Sequence, residues 1–238
     1  MLKFIEKNKK LFLLIAVGVI ALAWLCAAPL LFTKVATAGN VHVLYYVRVI
    51  LRELVAGLAM LAFAVGGFLY WKTGKQFFLI PAGCALGICT FVLDLVMALI
   101  QSIVYGSAST LLSAFSSAVI PFLVFAFVGV LSFLKVKGPV FPIVGGAGCA
   151  LMAVTSLFGG FGNLISFIAN SRFYHLDGFA KFLRGCGELL TGGGAMLFYL
   201  GLAVLVFLFL WERCNPCEEA AVETVEEASE ETPVAEEA

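Results

Sequence analysis

Between Leu11 and Phe32 the chain runs for 22 residues without a charged side chain, and it does so again for 24 residues from Leu111 to Leu134 and for 23 from Leu189 to Trp211. A hydrocarbon core of ~30 Å is crossed by about 20 apolar residues in an α-helix. Only a helix or a closed barrel satisfies every backbone N–H and C=O where water is absent. These three runs therefore read as membrane crossings, and three weaker ones make a set of six. Leu54 to Trp71 has 18 uncharged residues and can begin earlier, through Val41 to Glu53; Phe77 to Tyr105 is interrupted only by Asp94; a run from Val140 is clean to about Leu157. Past that point the segment FGGFGN, Phe158 to Asn163, reads as the outer end of the fifth helix or as a break covered by protein, since lipid-exposed irregular backbone is not tolerated at membrane depth. The fold class expected is an all-α integral membrane protein with six transmembrane helices.

Composition supports this: 62% of residues are hydrophobic and 13% charged, against about 25% charged in a soluble domain. The charges that remain are unevenly placed. Nine of the 15 acidic residues are glutamates after Pro216, so residues 1–217 hold 15 basic and 6 acidic groups, a net of +9. Glu218 to Ala238 holds those nine glutamates, no basic residue and few large apolar ones. It reads as a solvated, disordered acidic tail, able to dock a basic protein partner. The chain thus divides into a basic N-terminus (residues 1–10), a six-helix domain (11–213) and the tail (214–238).

Orientation follows from Lys and Arg in the short loops. Nine of them, Lys3, Lys7, Lys9, Lys10, Lys72, Lys75, Lys135, Lys137 and Arg213, fall on one side of a six-crossing chain; the other six, Lys34, Arg48, Arg52, Arg172, Lys181 and Arg184, fall on the opposite side. The richer side is read as cytoplasmic, with both termini inside and the plasma membrane as the expected location. The first run resembles a signal peptide in its basic flank and in Ala21-Leu22-Ala23, but its 22 residues exceed the ~7–15 of such a segment. It is read as an uncleaved crossing.

The pentapeptide AGCAL occurs at Ala82 to Leu86 and again at Ala147 to Leu151, 65 residues later. At the same offset Lys7, Lys72 and Lys137 coincide, as do Gly18, Gly83 and Gly148. Glu53 opens ELVAGLAML in the second helix and Glu188 opens ELLTGGGAML in the sixth. Coincident flanking lysines are harder to obtain from composition than apolar identities, so three tandem helical hairpins of about 65 residues are expected, over 7–71, 72–136 and 137–211.

Polar groups at membrane depth are where function would show, since a charge at the bilayer centre costs ~2.5–3.5 kcal/mol even on insertion scales. Asp94 leads. If Phe77 to Met97 crosses, it lies near the interface; if Cys84 to Val104 crosses, it lies at the middle. A second constellation precedes the second and sixth helices: His42, Arg48, Arg52 and Glu53, then His175, Asp177, Lys181, Arg184 and Glu188. Arg184 and Glu188 are four apart and can pair on one helix face. In GFAKFLRGCGELL the apolar and basic positions separate onto two faces, which reads as an interfacial helix with snorkelling bases; the alternative is an outer vestibule for an anionic or zwitterionic solute. Ser107 to Ser117 loads the fourth helix with hydroxyls that bond across helices or line a polar path.

Cys214 and Cys217 have the spacing of a redox or metal pair, but without a second pair to complete a zinc site or the surrounding βαβ unit. They are weak candidates. No nucleophile elbow, phosphate loop or zincin motif is present, and no cofactor or nucleic-acid partner is expected. Three functions remain, in this order. The first is a transporter of a small solute or ion, or its membrane subunit, with candidate site residues Asp94, Glu53, Glu188, Arg52 and Arg184. The second is a scaffold binding partners through helix faces and its acidic tail. The third is an intramembrane lipid-modifying or redox enzyme.

Overall fold

A computed structural model of the chain describes residues 7–36, 43–75, 78–106, 108–134, 136–170 and 178–214; the side chains of 27–36, 43–46, 170, 180, 183 and 188 are outside that description. Six helices follow one another: α1 (Lys9–Ala36), α2 (Val43–Thr73), α3 (Leu79–Tyr105), α4 (Ala108–Phe133), α5 (Val140–Asn170) and α6 (Gly178–Cys214). Each contains a stretch long and apolar enough to cross a membrane. The protein is an all-α, multi-pass bundle, and no strand occurs among the described residues. The acidic tail, Cys217, His42, His175 and Asp177 lie outside the described residues.

Helix ends follow local chemistry. Pro81 and Pro142 occupy first turns, where the missing N–H costs no ladder bond, and α3 starts at Leu79 rather than at Phe77. The α3–α4 connection is very short, and Gly106 makes it possible: its φ of 66° is left-handed, and its N–H caps the Ser102 carbonyl.

Two expectations about glycine are corrected. The FGGFGN segment neither ends nor breaks α5, which continues to Asn170. GFAKFLRGCGELL is not a separate interfacial helix but the opening of α6, which runs unbroken for 37 residues, or ~55 Å at 1.5 Å per residue. The reason is shared. Gly160 of α5 and Gly192 of α6 lie so close that a Cβ on either would be 2.5 Å from the other's Cα. Here glycine lets two helix backbones touch, and the contact holds both helical through sequence that reads as a breaker.

The helices close into a ring in chain order. α1 lies between α6 and α2, α3 between α2 and α4, and α5 packs extensively along α6; the α4–α5 seam is the sparsest of the ring. That seam leaves an apolar cleft of about 620 Å³ lined by residues such as Leu123, Phe127, Val130 and Val144. Across the middle, Phe63 of α2 stacks on Phe125 of α4 (5.9 Å between centroids) and meets Phe198 of α6 at 6.0 Å, while Phe91 of α3 lies 6.0 Å from Phe125. Gly83 and Gly87 of α3 admit these rings: a Cβ there would be 3.0 Å from Phe63 and 3.1 Å from Phe125.

Two glycines 65 residues apart, Gly83 and Gly148, are both closely packed against the preceding helix. Gly83 seats Phe63 of the preceding helix, and Gly148 seats Val124 of its preceding helix at 2.9 Å, whereas nothing lies within 4 Å of a Cβ on Gly18. Cys84 and Cys149 are both buried in the core. A ring in chain order is what any up-and-down bundle produces, so the shared glycine seating is the more specific feature.

The two ends of the ring differ. At one, Lys9 forms an ion pair with Glu212, the Tyr70 hydroxyl donates to the same carboxylate, and the Lys9 ammonium sits 4.7 Å from the Tyr70 ring centre. Gly138 N–H donates to the Cys214 carbonyl at 3.2 Å, tying the α4–α5 link to the end of α6. Lys10, Lys72, Lys75 and Lys137 belong to this basic end. The opposite end carries Arg48, Arg52, Asp94 and Gln101.

Candidate functional site

The inward stripe of α3 explains where its charge goes. Gly83, Gly87, Thr90, Asp94, Ala98 and Gln101 are all buried and recur every three or four residues, the period of one helix face. The stripe is small and apolar in its first half and polar in its second. Asp94 is fifteen positions from Leu79 and eleven from Tyr105, ~22 Å and ~16 Å along the axis. It therefore lies past the middle of α3, in the half that ends at Tyr105.

A carboxylate that is only 6% exposed must be paired to be retained as a charge. α2 supplies the partners from Arg48 and Arg52, one turn apart. Arg48 Nε donates to Asp94 Oδ1 at 2.9 Å, and Arg48 Nη1 donates to Gln101 Oε1 at 2.8 Å. Arg52 Nη1 stands 3.9 Å from the same Asp94 oxygen, beyond hydrogen-bond distance. Arg48 thus bridges two side chains seven residues apart on α3, which its planar fork of donors does and a lysine ammonium does not.

This cluster forms one wall of a polar cleft of about 520 Å³ whose other wall is α4, with Ser109, Thr110, Ser113 and Ser117. The Ser117 hydroxyl donates to the Ala114 carbonyl, while those of Thr110 and Ser113 make no hydrogen bond among the described residues. Pro121 within α4 has no N–H to offer the Ser117 carbonyl, its i−4 acceptor. Two guanidinium groups against one carboxylate make the cleft net positive. It suits an anionic or dipolar group.

A second cavity, a chamber of about 150 Å³, lies inside the ring between α1, α2, α3, α4 and α6. Arg52 lines both cavities. Beside it in the chamber are Glu53, Thr90, Thr191 and Tyr199, and the remaining surface is apolar, with Phe91, Phe125 and Phe198 prominent.

Of the residues singled out by sequence, Asp94 and Arg52 line the cleft, and Arg52 and Glu53 line the chamber. Arg184 is elsewhere: its guanidinium lies over the Phe167 ring of α5, 5.5 Å from the centroid. The side chain of Glu188 is outside the description, although Thr191 and Gly194, one to two turns further along α6, line the chamber. Cys214 is buried, and no group of three or more His, Cys, Asp or Glu capable of holding a metal ion occurs among the described residues. Sequence reasoning noted Arg48 only as an outer charge, and it passed over Gln101 and Tyr199. Spacing held a signal for Gln101, since Asp94 and Gln101 are seven apart, two turns along one face. Comparison of the chain with protein-family models, curated proteins and solved structures gives no match.

Proposed function

We propose that this protein moves a small anionic or zwitterionic solute across its membrane, as a transporter or as the membrane subunit of one. The observation that carries the reading is the Arg48–Asp94–Gln101 cluster, a paired and buried charge well inside a helix bundle, forming the wall of a hydroxyl-lined cleft. Charge at that depth is costly and marks solute pathways more often than it serves packing. A purely structural pair has no need of an adjoining polar cleft. Thermal unfolding of the purified protein across panels of anions and zwitterions is the test: a solute at about 100 times its Kd raises stability by ~2.7 kcal/mol. Asp94→Asn is expected to abolish that rise. If no solute stabilises the wild type and Asp94→Asn matches it throughout, transport fails and the partner-binding scaffold takes its place.

In the same proposal the basic end faces the cytoplasm of a plasma membrane, the glutamate-rich tail is a solvated segment there, and the chain is built of three hairpin units. The supports are the nine basic residues on that side and the glycine seating common to the second and third hairpins. Reporters fused after Lys10, Lys75 and Lys137 are expected to read cytoplasmic, and reporters at Gly39 and Asp177 external. A cytoplasmic signal at either of the last two positions contradicts the arrangement.

A further inference from the structure

Which solute the site takes is written in the bonds that the cleft leaves unmade. Arg48 is already committed, one nitrogen to Asp94 and another to Gln101. Arg52 is not: its one close charge among the described residues is Asp94 at 3.9 Å, its side chain is 48% exposed, and it lines the cleft. A guanidinium offers five N–H donors, so Arg52 presents a fork matched to a carboxylate or a phosphate. In the facing wall, Thr110, Ser113 and Ser117 recur every three or four residues along α4, the period of one helix face. The hydroxyls of Thr110 and Ser113 make no hydrogen bond among the described residues, and each has a proton to donate.

Acceptors stand beside these donors. Asp94 gives Oδ1 to Arg48; its Oδ2 accepts no hydrogen bond among the described residues and yet is not sealed from open space, so it meets the cleft at its edge. Ser117 donates its proton to the Ala114 carbonyl, which leaves its oxygen only lone pairs. A bare anion on Arg52 would leave both acceptors unmatched. An ammonium would match Asp94 but stand against two guanidinium groups that lie within 4 Å of that carboxylate. A neutral hydroxyl on the solute donates to both acceptors without that repulsion.

Charge and size narrow the class. With Asp94 offset by Arg48, Arg52 leaves the cleft one positive charge, which a carboxylate matches and a phosphate monoester, at about −1.5 to −2 near neutral pH, exceeds. Ala114 is the one apolar residue among those described in the lining, so neither an acyl chain nor a large apolar side chain has a surface to bury against. The cleft of about 520 Å³ falls within the ~300–1,000 Å³ of small-molecule sites. We infer that the solute is a hydroxylated monocarboxylate of the sugar-acid kind, with its carboxylate on Arg52, Thr110 and Ser113 and its hydroxyls donating to Asp94 and Ser117. This rests on the transport reading above and names its substrate class. Arg52 also borders the inner chamber, so the α6 residues there reach the site through its guanidinium.

The experiment is calorimetric titration of the purified full chain with D-gluconate, beside sorbitol (gluconate with its carboxylate reduced to an alcohol), hexanoate (gluconate without its hydroxyls), glucose 6-phosphate, L-alanine and a short-chain phosphatidylglycerol. Gluconate is expected to bind, sorbitol about 100-fold more weakly for want of charge-assisted bonds to Arg52, and hexanoate about tenfold more weakly for want of donors to Asp94 and Ser117. Arg52→Gln is expected to weaken gluconate about 100-fold and leave sorbitol unchanged. Ser113→Ala, at an exposed position, is expected to weaken gluconate about tenfold, and it decides the matter together with the wild-type series if Arg52→Gln does not fold. Gluconate affinity unchanged in either variant that folds overturns the inference, as does sorbitol or hexanoate binding as tightly as gluconate. Glucose 6-phosphate binding more tightly than gluconate overturns it in favour of a phosphate site, and phosphatidylglycerol binding in place of gluconate overturns it in favour of a lipid headgroup. Alanine binding without gluconate overturns it and leaves the transport reading standing, whereas binding by no solute at all removes both.

Discussion

Arg48→Met is expected to cost about 3–5 kcal/mol of stability, the range for removing one member of a buried ion pair. The side chains of Arg48 and Asp94 are 16% and 8% exposed, so water in the adjoining cleft reaches only the edge of the pair and replaces the lost guanidinium incompletely. Arg52, at 3.9 Å, is too far to replace the 2.9 Å bond from Arg48, and Gln101 loses its donor as well. The double variant Arg48→Met/Asp94→Leu is expected to recover most of the loss, because removing both charges removes the penalty of leaving one uncompensated. Arg48→Lys is expected to fall between, since an ammonium supplies the charge but not the fork that reaches both acceptors. Unfolding of the purified proteins in one detergent measures all three. A single-variant loss under about 1 kcal/mol would place Asp94 in contact with water, and the cleft would then be an open surface, not a built site.

The sequence made the six helices plain because the feature that creates them, a run of apolar residues as long as a membrane is thick, is local and one-dimensional. It made Asp94 plain for the same reason: one charge in an apolar run stands out. What it did not show depends on register between helices. Arg48 reaches Asp94 and Gln101 across 46 and 53 residues, and nothing in the spacing along α2 tells which of its arginines faces which turn of α3. Arg52 and Glu53 were singled out as charges at a helix entrance, while their shared cavity depends on α6 bringing Tyr199 beside them. Tyr199 gave no signal at all, being one aromatic among many. Arg184 was singled out for its place beside Glu188, and what spacing did not show is that its guanidinium also lies over an aromatic ring of α5. Glycine misled most, because the same residue that ends helices in loops permits their closest contacts in a membrane.

That last point carries the second large effect expected, at Gly160 and Gly192. A Cβ at either position would stand 2.5 Å from the other's Cα, and at Gly192 also 3.3 Å from the Ser156 carbonyl oxygen. Carbon atoms pack at ~3.5–4.0 Å, so alanine at either site has to drive α5 and α6 apart by about 1 Å or more. Backbone, unlike the tip of a flexible side chain, cannot swing aside. This is the most extensive helix contact in the ring, and the separation is felt along its whole length. Gly160→Ala and Gly192→Ala are each expected to lose about 3 kcal/mol or more, the upper end of the range for overpacking. Gly193 is the internal control: it neighbours Gly192 in the same helix, nothing lies within 4 Å of a Cβ there, and alanine gains up to ~1 kcal/mol of helix propensity over glycine. Gly193→Ala is therefore expected to unfold no earlier than wild type. The two classes differ in a second readout. Thr191, Gly194 and Tyr199 of α6 line the chamber, so a displaced α6 moves these three lining residues together. Gly192→Ala is expected to weaken solute binding even at temperatures where it is folded, and Gly193→Ala to leave binding unchanged. Equal unfolding temperatures for the two variants would mean that α5 and α6 do not cross at these glycines, and the continuous course of both helices through their glycine-rich turns would then lack its physical cause.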